Sequence, residues 1–268
     1  QVEFENIFVV FDPTREEQPA LNRGAQIALE TGRSLHVYAC IFSESARPEE
    51  VRARVELQNE ALATRIAPLV EAGLDVSTEV DWEKDWYQAV VTASVRNSAD
   101  VVLKSSYRHT PSQRILNRTS DWTLIRECLC PVMLVKEDTD LDSRNVLAAI
   151  DIRADKASYE NLNRRIIDFS QRVMENTGAE VHFINAHQDL DSSPDRNALI
   201  RNCGVDSDKV HIRMGEPGDV IVENARELNA ALVIVGNSAR SGLSALINGN
   251  TVEKIVDKLE CDILSMPG

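Results

Sequence analysis

Short runs rich in β-branched residues alternate with longer segments of helical period along the chain. In the first half these runs predict strands near 6–11, 34–41, 75–80, 100–104 and 131–136. Residues 17–31, 49–72, 84–97 and 112–128 carry the spacing of amphipathic helices. The second half predicts strands near 145–150, 180–186, 208–213, 231–235 and 262–267, with helices between them. Strands that alternate with helices build βαβ units and a parallel sheet. Right-handed crossovers then place one helix layer on each face. The fold class is α/β, with two five-stranded parallel sheets, and ligands of such sheets sit at strand carboxyl ends, at the switch point of the strand order.

The two halves echo each other. NIFVVFDPT, Asn6 to Thr14, returns as NVLAAIDIR, Asn145 to Arg153. Ala99 to Val135 aligns with Ala230 to Met266 without a gap, matching Ala99 with Ala230, Val102 with Val233, Asn117 with Asn248 and Cys130 with Cys261. The acidic, glycine-free KEDTDLDSR, Lys136 to Arg144, suits an exposed connector. The expected domains are 1–139 and 140–268.

Composition narrows the function. The 268 residues are 43% hydrophobic and 27% charged, with no apolar run near the roughly 18 residues of a membrane span. No secretory leader pattern is visible either. Five scattered cysteines without a CxxC pair fit a reducing compartment, and the expectation is a cytoplasmic globular protein. A net charge of −14 argues against general nucleic-acid binding. One stretch departs from that balance: Val101 to Ser120 carries Lys104, Arg108, Arg114 and Arg118, with His109 and no acidic residue.

Motifs for turnover are absent. The chain has no Walker lysine loop, GxSxG elbow or HExxH pair, and neither the SGGxDS nor the HIGH motif of ATP-splitting α/β enzymes. The expectation is a protein that is not an enzyme of ordinary turnover, although slow ATP hydrolysis stays compatible with it. His182 and His187 lie on or just after a strand without a third ligand nearby, so no metal is expected. Cys128, Cys130 and Cys261 read as buried thiols, and Trp82, Trp86 and Trp122 as packing residues.

Asp12 and Asp151 follow the first strand of each half, Asp12 reading more readily as a turn residue and Asp151 as a ligand residue. The fourth strand of the second half runs into VGNSARSGLSALINGNT, Val235 to Thr251. These features resemble the universal stress protein family, whose domains bind ATP with an aspartate after the first strand and a loop patterned G-x2-G-x9-G-[ST]. DPTREEQPAL, TSDWTLIRECLCPVMLVK and GLSALINGNTVEKIVDKLECDIL resemble its tandem, E-type subgroup. The resemblance implies two adenine-nucleotide alpha-hydrolase-like, Rossmann-like domains forming a pseudo-dimer, with Pro131 to Val135 meeting Asp262 to Met266. It also implies a homodimer and a protein partner in the stress response.

Carried over residue by residue, Gly236 takes the first glycine of the loop and Gly249 the third. Ala239 replaces the second glycine, Asn250 replaces Ser or Thr, and Thr251 follows. Backbone donors and a helix start hold phosphate in such loops. Where φ is positive, alanine costs about 1 kcal/mol, whereas asparagine still caps a helix. The resemblance implies Asp151 for ribose or adenine, with Ala186 and Val235 at the base. In the first half Ser105, Arg108 and Arg118 replace the loop positions, so no glycine remains and a family ATP cradle is not expected there. Lys104, Arg108, Arg114 and Arg118 either hold an anion by side chains or form a surface paired with acids elsewhere. Three functional readings follow: a non-catalytic binder of ATP or another adenine nucleotide, a scaffold with a vestigial site, or a binder of a larger, partly apolar anion between the domains.

Overall fold

A computed structural model describes residues 4–44, 47–107, 121–151, 157–237 and 249–268, with the backbone alone for 157–159 and 249–253. The chain divides into two compact units, Gln1–Glu137 and Asp138–Gly268. In unit 1 the elements are β1 (Asn6–Phe11), α1 (Pro19–Thr31), β2 (Ser34–Ile41), α2 (Pro48–Glu71), β3 (Val76–Trp82), α3 (Trp86–Arg96), β4 (Val101–Ser106), α4 (121–127) and β5 (Val132–Lys136). All strand pairs are parallel, in the order β3-β2-β1-β4-β5.

Unit 2 contains β6 (Asn145–Ala149), α5 (Ala157–Thr177), β7 (Glu180–His187), α6 (Arg196–Cys203), β8 (Val210–Met214), α7 (Pro217–Glu227), β9 (Leu232–Asn237), α8 (Gly249–Lys258) and β10 (Asp262–Pro267). Its parallel order is β8-β7-β6-β9-β10. The same winding therefore occurs twice, with the switch points between β1 and β4 and between β6 and β9.

The central strands are buried along their length, as sheets covered on both faces require. Ile7 to Val10 and Val101 to Leu103 are buried in unit 1, and Val146 to Ala149 and Val233 to Val235 in unit 2. Prolines at the first helical position start α1, α2 and α7, where their missing N–H costs nothing. Gly32 ends α1 with φ +69° and donates its N–H to the Ala28 carbonyl at 2.8 Å. Among the described residues no helix is long and apolar enough to cross a membrane.

Element ends differ from the pattern-based expectation in three informative places. The strand expected to stop at 235 runs to Asn237, because the β10 ladder pairs Met266 with Gly236 and Pro267 with Asn237. The strand expected at 75–80 extends to Trp82, which pairs with Ile41. In both cases a neighbouring strand overrides weak local preference. The strand expected from 208 starts at Val210, since Ser207–Lys209 forms a 3-10 turn. Of the helix expected over 112–128, residues 121–127 are helical, and 112–120 lie outside the described residues. The acidic connector is pinned to unit 2: Thr139 donates to Asp262 at 2.7 Å, Asn229 to Asp140 at 2.8 Å, and Ser143 to the Asn229 carbonyl at 2.5 Å.

Candidate functional site

In unit 2 the neighbouring strands β6 and β9 bring their carboxyl ends together, with Ala148 opposite Ile234. Ile150, Ala186 and Gly236, with Pro217 and Ile221 of α7, line one small apolar cavity of about 10 Å³, room for at most a single water. Asp151 follows directly and is 4% exposed. Its N–H donates to Asn163 Oδ1 at 3.1 Å, and Asn163 Nδ2 donates back to its carbonyl. One amide from α5 thus fixes the backbone at Asp151, two residues past β6. Unit 1 repeats the device: Asp12 N–H donates to Gln18 Oε1 at 3.0 Å, and Gln18 Nε2 donates to the Asp12 carbonyl at 2.6 Å. The two clamps stand 6 and 12 residues beyond their aspartates, so no fixed motif announces them.

Gly236 has a packing reason to be glycine. A Cβ there would lie 2.7 Å from Leu162 Cδ2 and 3.2 Å from Ile166 Cδ1, both on α5. Ser105, its counterpart in the repeat, is buried and accepts the Ala20 N–H near the start of α1 at 2.9 Å. Val235 is 1% exposed in the core, one residue before the cavity wall. Gly249, Asn250 and Thr251 form the first positions of α8, while Ala239 lies outside the described residues.

The basic stretch of unit 1 is described at Lys104; Arg108, Arg114 and Arg118 lie outside the described residues. Lys104 Nζ sits 2.5 Å from Asp121 Oδ1, with the two side chains 16% and 6% exposed. It also lies 5.3 Å from the Trp86 ring centre. The acid is the first residue beyond the acid-free stretch, so this cation is already compensated.

A larger cleft, about 370 Å³, opens at the carboxyl ends of β1, β2 and β4 in unit 1. Asp12 borders it and accepts the Thr14 N–H at 2.9 Å and the Thr14 hydroxyl at 2.6 Å, an Asx turn. The Arg15 guanidinium stands 4.4 Å from the centre of the Tyr107 ring, whose hydroxyl donates to the Glu17 carbonyl at 2.9 Å. Cys40 also lines the cleft, and burial pushes its thiol up to about 11. At neutral pH it is a thiol rather than a nucleophilic thiolate. Arg15, Tyr107 and Lys84 were not singled out by sequence; the short stretch of β1 loop that holds Asp12 and the end of β4 were the available signals.

Histidine pairing also follows the fold rather than chain spacing. His182 Nδ1 meets His211 Nε2 at 3.0 Å across β7 and β8, not His187. Among the described residues no group of three or more His, Cys, Asp or Glu is arranged to hold a metal.

The sequence profile of the universal stress protein family matches residues 3–136 and 185–267. Universal stress protein E of Photorhabdus laumondii subsp. laumondii is 28% identical over 98% of this chain and 95% of its own. A protein of unknown function from Pseudomonas aeruginosa PAO1 shares the fold with a TM-score of 0.80 at 25% identity, covering 99% of this chain and 93% of its own. A universal stress protein from Archaeoglobus fulgidus gives 0.79 at 17% identity, covering 100% of this chain and 98% of its own. With the profile matching in two regions and one strand order wound twice, the chain belongs to the universal stress protein family.

Proposed function

We propose that this protein is a non-catalytic stress-response module of the cytoplasm that takes ATP or another adenine nucleotide at the switch point of unit 2 and presents its ligated state to a protein partner. The observation that carries this reading is the convergence of Ile150, Ala186 and Gly236 at the ends of β6, β7 and β9, with Asp151 directly following. The cavity between them holds at most a single water, so a purine would rest its edge against these apolar residues from outside it, with the Asp151 carboxylate toward the ribose hydroxyls. The start of α8 supplies backbone donors and a favourable dipole for phosphate. The absence of turnover motifs in the sequence supports binding without catalysis.

Calorimetry with ATP, ADP and AMP tests the reading. Saturable binding is expected, weakened about tenfold or more by Asp151→Ala, the loss of a hydrogen bond to a charged group. No heat with any of the three refutes it and leaves a vestigial site on a scaffold. In that case Ala239→Gly, which completes the family loop, should create affinity.

A further inference from the structure

The unit 1 cleft is not used by the nucleotide reading, and its chemistry differs from a phosphate cradle. Its volume, about 370 Å³, lies within the range of small-molecule sites, roughly 300 to 1,000 Å³. Phe11, Phe42 and Trp86 give it an apolar lining, and Phe42, whose ring lies 6.0 Å from that of Trp82, is still 44% exposed. Ser105 stands at the position of the first loop glycine, and its hydroxyl is already bonded to the Ala20 N–H at 2.9 Å. Lys104 is neutralised by Asp121.

Among the described residues, the remaining charges that line the cleft are of both signs. Arg15 and Lys84 line the cleft together with Asp12 and Glu83. Among the described residues none of the four forms an ion pair with another. Arg15 rests on the Tyr107 ring and Asp12 on the Thr14 turn. Among the described residues, two cations and two carboxylates that do not satisfy each other line the cleft, while Arg108, Arg114 and Arg118 lie outside those residues. Among these four groups the two carboxylates offset the attraction that the two cations would supply to a triphosphate. A ligand that carries one charge of each sign gains from both sets, and a flat ring covers the exposed aromatic surface. Aromatic faces also attract an ammonium group.

We propose that the unit 1 cleft binds an aromatic amino acid or a derivative that keeps both charges, with the carboxylate at Arg15 and Lys84, the ammonium at Asp12 and Glu83, and the ring against Phe42 and Trp86. The cleft is then a second ligand site, independent of the nucleotide reading for unit 2.

Calorimetry on the full chain with L-tryptophan, N-acetyl-L-tryptophan, tryptamine and indole tests this. L-Tryptophan should bind saturably, and each compound lacking a charge should bind at least about tenfold more weakly. Arg15→Gln with Lys84→Gln should remove the discrimination against tryptamine. Asp12→Asn with Glu83→Gln should remove the discrimination against N-acetyl-L-tryptophan, and asparagine retains the Asx turn. Unchanged melting temperatures confirm that the variants fold. Asp151→Ala should leave L-tryptophan binding unaltered, which separates this site from the one in unit 2. Absence of saturable L-tryptophan binding overturns the proposal, as does equal affinity for all four compounds or binding that the cleft variants leave unchanged.

Discussion

Gly236 lies where α5 packs on β9, and Leu162 and Ile166 occupy the space that any side chain would need. Gly236→Ala should therefore destabilise unit 2 by about 1 to 3 kcal/mol through overpacking, seen as a lower urea midpoint. If the glycine served a phosphate alone, ligand affinity would change and the midpoint would not. His182 and His211 carry a second prediction at this scale. Their rings stack with centres 5.2 Å apart. Burial lowers the pKa of both, with Lys209 adding to it at His182 and His182, Arg213 and Arg196 adding at His211, while Glu180, Asp208 and Glu227 oppose. The fold thus favours the neutral rings. Their contribution to stability is complete above the ordinary value of 6.5 and is lost as pH falls through the lowered folded values. The melting temperature should drop between pH 7.5 and pH 5, and His211→Asn should flatten that drop. An equally steep drop in the variant would assign it to other groups.

Among the elements, β4 and α4 are tied by the Lys104–Asp121 pair, which is shielded enough for its charges to matter. Lys104→Met alone strands a buried carboxylate and should cost about 3 kcal/mol or more. Adding Asp121→Leu should restore most of that loss, because a buried pair replaced by apolar groups is often neutral. Equilibrium urea unfolding of the two variants gives the comparison; a double variant as unstable as the single one would show that the pair does not account for the cost. The strands themselves were legible, since runs such as VVL at Val101 to Leu103 are buried at every position. Their ends were not. Gly236 and Asn237 have little preference for a strand and were drawn into one by β10. At Lys104 the expected pairing with an acid elsewhere is what the structure has, but which acid, Asp121 on α4, was not readable.

At the scale of the whole molecule, each unit carries its own buried core, with Phe8, Tyr38 and Leu103 in one and Leu147, Phe183 and Ile166 in the other. The connector read as exposed and is so, with none of residues 136–144 buried, and Thr139, Asp140 and Ser143 are in addition bonded within unit 2. A fragment 138–268 should therefore melt several degrees higher than 144–268, which loses the Thr139, Asp140 and Ser143 bonds. Circular dichroism decides this, and equal melting temperatures would show that the connector contributes nothing. The tandem organisation was visible in the chain because a repeat is a property of residue order. The clamps at Gln18 and Asn163 were not, because they do the same task at different distances from their aspartates.

The sequence by itself determined the alternation of strands and helices, its doubling, and the likeness to the family. Periodicity, repeat and loop pattern are local properties that survive without coordinates. Only the tertiary structure decided that Gly236 is required by α5, that Lys104 is spent on Asp121, and that charges of both signs meet aromatic rings in the unit 1 cleft. Those facts rest on distances that chain order does not give, and the strand order together with the packing of helices and loops on the sheet sets them.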